Sequence, residues 1–70
     1  MAEYITNAVY TLRTKKGLTQ EALAERAGIT RQTVISIEKG NYTPSVLLAL
    51  KMAAVFKVPV EDIFHISYGK

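Results

Sequence analysis

Residues 18–40 read LTQEALAERAGITRQTVISIEKG, and two short helices can be read directly from them. Thr19 carries the hydroxyl of an N-cap. Glu21 follows in the first turn, where the positive end of a helix dipole favours an acid. Leu23 and Ala27 repeat at helical spacing before Gly28, which can take the left-handed conformation that stops a helix. Thr30 is a second cap, and Val34 and Ile37 repeat in the same way before Gly40. The spacing predicts helices over 20–27 and 31–39, joined only by Gly28, Ile29 and Thr30. So short a connection makes the two axes cross steeply. Ala24 is small where such a crossing brings the backbones together, and a larger residue there would force them apart.

The second of these helices has two unlike sides. Val34 and Ile37 fall on one, spaced to bury against the first helix, and Arg31, Gln32, Ile35, Ser36 and Lys39 fall on the other. Arginine can donate two parallel hydrogen bonds to guanine O6 and N7, and glutamine can pair in the same bidentate way with adenine N6 and N7. Ser36, one turn beyond Gln32, suits either donors or acceptors. The helix N-terminus and the Thr30 hydroxyl offer donors to a phosphate oxygen. On an arbitrary helix such residues are ordinary solvated surface. Beside a phosphate-binding cap on a steeply crossed helix pair, they make a coherent base-reading device.

Outside this stretch, glycine and proline divide the chain into further segments of helical length. Ile5, Val9 and Leu12 predict a first amphipathic helix over Asn7 to Lys16, closed by Gly17. Thr43-Pro44 predicts the start of a fourth helix, with proline at its first helical position and an end near Lys57. Pro59 precedes a short fifth helix over Val60 to Phe64. His65 to Tyr68 alternates as a strand does, with Tyr4-Ile5-Thr6 as its candidate partner.

Seventy residues suit one domain near the lower limit of independent folding. Apolar residues make up 49% of the chain, which places it among globular rather than disordered sequences. Nine Lys and Arg against six Asp and Glu leave a net charge of +3, a mild bias toward a polyanionic partner. With no cysteine there is neither a disulfide nor a thiolate metal site. His65 is the only histidine and has no companion ligand, so no metal is expected. The adjacent acids Glu61 and Asp62 read as first-turn residues favoured by a helix dipole. No serine has a basic partner at recognisable spacing and no glycine-rich loop could cradle a phosphate, so neither an enzyme, a cofactor nor a small-molecule ligand is expected. The longest apolar run, Val46 to Phe56, is too short to cross a bilayer and contains Lys51. The first residues lack a basic region followed by an apolar one, so a cytoplasmic location without membrane association is the expectation.

The chain resembles the lambda-repressor-like, or Cro/XRE-type, helix-turn-helix family. The residues that carry the likeness are Gly17-Leu18-Thr19-Gln20, Leu23-Ala24, Gly28 through Val34, Ile37-Glu38-Lys39-Gly40 and Pro44-Ser45, and it extends through Val58 to Phe64. The resemblance implies an all-α, five-helix DNA-binding domain over residues 1–70, with the helix-turn-helix at 20–39 and room for a small strand pair between the termini. It also implies roles. Arg31, Gln32 and Ser36 would face base edges in the major groove. Gln20 would hydrogen-bond the DNA backbone and brace the recognition helix. Thr30, Lys39, Asn41 and Tyr42 would hold phosphates, and Arg13 and Glu38 would form a partly buried structural ion pair. Ile35 departs from the family pattern, being apolar on the DNA side; it either touches a thymine methyl or is a partly exposed apolar residue. Pro59 departs as well, since it leaves the fifth helix without a side-chain cap.

The fourth helix raises the question of assembly. Val46, Ala49, Leu50, Ala53 and Phe56 suffice as a core stripe, which leaves Leu47, Leu48, Met52 and Val55 directed partly elsewhere. A helix apolar nearly all round is normally covered on more than one side. The expectation is a homodimer using a C-terminal region over 46–68, with Leu47, Leu48, Ile63, Phe64, Ile66 and Tyr68 at its interface. Such a dimer would bind a roughly palindromic operator and regulate transcription, most simply as a repressor that occludes a promoter. The alternative is an antitoxin-like protein that neutralises a partner protein and binds its own promoter secondarily. Such proteins usually carry an extra wrapping segment, so a sequence ending soon after its last helix sets the expectation against that role.

Overall fold

Asn7 decides where the helical part of the molecule begins. In the computed structural model, which describes residues 2–69, its side-chain oxygen accepts from the Val9 N–H at 3.1 Å. Its amide nitrogen donates to the Ile37 carbonyl at 2.9 Å. Asn7 itself ends a strand, β1 (Glu3–Asn7), so the first helix, α1, spans Val9–Lys15 rather than starting at Asn7. The helical spacing that included Ile5 is coincidental, since Ile5 lies in the strand.

Three more helices follow: α2 (Gln20–Ala27), α3 (Arg31–Glu38) and α4 (Val46–Phe56). Each has a hydroxyl N-cap: Thr19 accepts from the Ala22 N–H, Thr30 from Thr33 and Ser45 from Leu48. Each satisfies an N–H that the helix cannot bond internally. The cap of α4 corrects the expectation of a start at Thr43-Pro44. Ser45, extended at φ −63° and ψ 163°, supplies the hydroxyl cap two positions later, so the helix begins at Val46.

The expected fifth helix is instead a single 3-10 turn over Val60–Asp62, followed by strand β2 (Phe64–Tyr68). Its two hydrogen bonds run from Asp62 to Pro59 and from Ile63 to Val60, each spanning three residues. Pro59 offers no side-chain cap, and the Ile63 carbonyl is taken at 2.8 Å by the Ala8 N–H. That bond ties the segment to the end of β1 and turns Phe64 into the strand. Four helices among the described residues therefore carry the fold. The strands pair antiparallel in the register Glu3↔Tyr68, Ile5↔Ile66 and Asn7↔Phe64, which brings residues 3–7 and 64–68 side by side. No helix among the described residues is long and apolar enough to cross a membrane.

The core joins Val9 of α1, Leu23, Ala24 and Ala27 of α2, Val34 and Ile37 of α3, Leu48, Met52 and Phe56 of α4, and Ile63. The face that α4 buries differs from the expected stripe. Leu48, Met52 and Phe56, four residues apart, point inward, whereas Val46 and Leu50 are 77% and 53% exposed. A helix with almost no polar residue has no sequence period to fix its rotation about its axis; packing against α2 and Ile63 fixes it instead.

Two substitutions test these features. Lys57, just after α4, has φ +58°, a left-handed conformation that strains any side chain with a Cβ. Lys57→Gly is expected to stabilise the protein by up to about 1 kcal/mol and to raise the thermal midpoint by several degrees. Asn7→Ala leaves the Val9 N–H without its partner and removes one of the two hydrogen bonds to the Ile37 carbonyl, which still accepts from the Gly40 N–H; it is expected to cost about 1–3 kcal/mol in denaturant unfolding.

Candidate nucleic-acid interface

Gly28 sets the geometry of this surface. Its φ of +71° lets its own N–H return to the Glu25 carbonyl and the Ile29 N–H to Ala24, closing α2 within one residue. Thr30 then opens α3. Val34 and Ile37 are buried, and Ala24, 4% exposed, lies in the same cluster. With that side of α3 sealed, the opposite side faces out.

The exposed side is graded along its length. Arg31 and Gln32 are exposed, while Ile35 and Ser36 are half-buried. Ile35 thus shares its surface between solvent and protein. The Thr30 hydroxyl accepts from the Thr33 N–H and lies 2.9 Å from the Thr33 hydroxyl. The N–H groups of Arg31 and Gln32, in the first turn, have no carbonyl one turn back within the helix to bond to. They and the helix dipole give this end a partial positive charge suited to an anion.

The other end of α3 is closed by a second left-handed glycine. Gly40, at φ +80°, bonds back to Ile37, and Asn41 bonds at 2.9 Å to the Ser36 carbonyl. This brings Asn41 and Tyr42 back beside the helix. Gln32, Thr33, Ser36, Asn41 and Tyr42 line one open groove of about 270 Å³. Four residues singled out in the sequence therefore meet at one concavity. Thr33, which had no assigned role, joins them; its spacing of three from both Thr30 and Ser36 was the available signal. Arg31 and Ile35 stand outside the groove lining, and Lys39 is exposed at the cap of α3.

A polar network lies beneath the surface. Arg13 Nε is 2.6 Å from Glu38 Oε2 and Nη2 is 3.3 Å from Oε1, with the two side chains only 10% and 8% exposed. Arg13 Nη1 donates to the Leu18 carbonyl at 2.9 Å, and its guanidinium sits 5.2 Å from the centre of the Tyr10 ring. Gln20, at the first position of α2, donates from Nε2 to Glu38 Oε1 at 3.1 Å. This last contact joins residues from two candidate sets that the sequence reading kept apart.

The candidate dimer residues divide. Leu47, Ile66 and Tyr68 are exposed and Phe64 is half-buried. Leu48 and Ile63 are buried in the core of a single copy and are removed from the candidate interface. Val46, Leu50 and Ile5, not among the candidates, are exposed.

Known proteins share this arrangement. A family model described as helix-turn-helix matches residues 9–63. The uncharacterized HTH-type transcriptional regulator YgzD of Bacillus subtilis is 53% identical over 61 residues, which is 87% of this chain and 92% of that protein. An uncharacterized HTH-type transcriptional regulator of Methanocaldococcus jannaschii is 52% identical over 58 residues, 83% and 88% of the two chains. Among solved structures, the restriction-modification controller protein C.AhdI of Aeromonas hydrophila has a TM-score of 0.73 at 35% identity, over 77% of this chain and 82% of that one. The two glycine-closed helices, the sealed inner side of α3 and these likenesses lead to one conclusion: the chain belongs to the helix-turn-helix family of Cro/XRE type, whose members are DNA-binding transcriptional regulators and not enzymes.

Proposed function

We propose that this protein reads a specific double-stranded DNA sequence as a homodimer and represses transcription by occupying a palindromic operator. The observation that carries the reading is the outward side of α3. Arg31 and Gln32 are exposed at its first two positions, beside unbonded backbone N–H groups, while Val34 and Ile37 anchor its other side. In the major groove, Arg31 and Gln32 pair with base edges, and Ser36 and Ile35 meet the next bases, Ile35 through a thymine methyl. Gln20, Thr30, Lys39, Asn41 and Tyr42 surround these readers and bond the phosphate backbone, which sets the register of the helix without reading sequence.

A single helix of this size reads few base pairs, and a second copy on the same face of the duplex supplies the rest of the specificity. The surface that supports pairing is apolar. Ile5, Pro44, Val46, Ala49, Val60 and Phe64 line one depression with Thr43. Leu47, Leu50, Ile66 and Tyr68 add further exposed apolar area in α4 and β2. Exposed apolar surface of this kind on a small domain is a usual mark of an interaction site. A twofold pairing through it sets two recognition helices about 34 Å apart, one turn of DNA.

Two measurements test the proposal on an operator selected from a random duplex pool. Arg31→Ala is expected to weaken binding by about 1–3 kcal/mol and to relax preference at one position per half-site. Unchanged affinity and preference would remove Arg31 from the reading set. Leu47→Asp replaces a side chain that is 65% exposed and sits in the first turn of α4, where an acid is compatible with the helix dipole. It is expected to retain the helical circular-dichroism signal, sediment as a monomer and lose most operator affinity. A wild-type chain that sediments as a monomer at micromolar concentration contradicts the dimer.

A further inference from the structure

We infer that Glu38 is a positioning residue for the Gln20 contact to the DNA backbone, with Arg13 as the group that makes this possible; the inference rests on the DNA-reading proposal above. Glu38 is the last residue of α3, where a carboxylate faces the negative end of the helix dipole, so the dipole gives no reason for an acid there. Both of its oxygens nonetheless accept hydrogen bonds from side chains of other helices. Oε2 takes Arg13 Nε at 2.6 Å, and Oε1 takes both Arg13 Nη2 at 3.3 Å and Gln20 Nε2 at 3.1 Å.

An ionised carboxylate only accepts hydrogen bonds, so the end of the Gln20 amide that faces it must be the nitrogen. That nitrogen carries two N–H groups. One is spent on Glu38, and the other remains available at the first position of α2, on a side chain that is only half-buried. A phosphate oxygen requires a donor, and the second N–H supplies one. A glutamine with no such partner rotates about three bonds and presents either end of its amide, and ordering it on binding costs side-chain entropy. Glu38 removes most of that cost before DNA arrives.

Arg13 solves the accompanying charge problem. A bare carboxylate immediately behind a phosphate contact would repel the phosphate. The two-pronged guanidinium cancels that charge, and it is itself fixed by the Leu18 carbonyl. The order of support therefore runs from Arg13 in α1, through Glu38 at the end of α3, to Gln20 at the start of α2. Because Glu38 belongs to the recognition helix, the backbone contact and the base contacts share one rigid frame.

The test is a comparison of operator affinity among the wild-type chain, Gln20→Ala, the paired replacement Arg13→Met with Glu38→Leu, and the triple variant. Replacing the ion pair together avoids stranding one buried charge. In the wild-type background Gln20→Ala is expected to weaken binding on the order of tenfold, equally for every base sequence, through loss of a hydrogen bond to a charged group. In the paired background the same change is expected to cost less than twofold. Equal losses in the two backgrounds overturn the inference. So does no loss from Gln20→Ala while Arg31→Ala still weakens binding, a result that leaves the DNA-reading proposal intact. Absence of sequence-dependent binding by the wild-type chain overturns that proposal instead, and the inference with it. A measurement on the wild-type chain needs no variant. In NMR spectra one Gln20 side-chain amide proton is expected to be protected from exchange and the other to shift on addition of the operator duplex. Two protons that both exchange rapidly and both ignore DNA contradict the inference.

Discussion

The three-residue passage from Ala27 to Arg31 constrains everything else in this molecule. Gly28 takes a left-handed conformation with both closing hydrogen bonds of α2 made around it, and Thr30 caps α3 two residues later. No slack remains for the second helix to choose another direction. The crossing in turn requires a small side chain between the helices, which Ala24 provides. It also decides which side of α3 is buried, and so which side can meet a ligand. The remaining elements hold that crossing in place: Asn7 bonds the Ile37 carbonyl, Arg13 grips Glu38, and Leu48, Met52 and Phe56 close the core.

The helix-turn-helix was legible because its signals are local and redundant. Thr19, Thr30, Gly28 and Gly40 mark boundaries, and Leu23, Ala27, Val34 and Ile37 give the period. Where the determinants are not local, the sequence pattern points elsewhere. The start of α1 depends on Asn7 binding Val9 and Ile37 at once, and Ile37 is 30 residues away. The rotation of α4 was not encoded in a pattern of polar and apolar residues, because Val46 to Phe56 contains one charge. The segment after Pro59 has helical composition but is drawn into a strand once Ala8 captures the Ile63 carbonyl. The candidate site shows the same division. Arg31, Gln32 and Ser36 were visible from helix geometry alone. The Gln20–Glu38 bond, across 18 residues, has no local signature.

Two faces of the molecule differ in chemistry. The outer side of α3, with the groove that Gly40 forms by folding Asn41 and Tyr42 back beside Ser36, is polar and carries the groups suited to nucleic acid. The depression lined by Ile5, Pro44, Val46, Ala49, Val60 and Phe64 is largely apolar and is the surface proposed to meet a second copy. Between them lies the Arg13–Glu38–Gln20 network, polar yet mostly buried.

In the proposed function DNA meets the outer side of α3 and the residues around it. Backbone amide chemical-shift mapping during titration with the selected operator duplex reads this contact surface residue by residue. Shifts are expected to concentrate at Gln20, over residues 30–36 and over 39–42, with the interior of α4 nearly still. Shifts confined to α4 and the strand pair, with α3 silent, would contradict it.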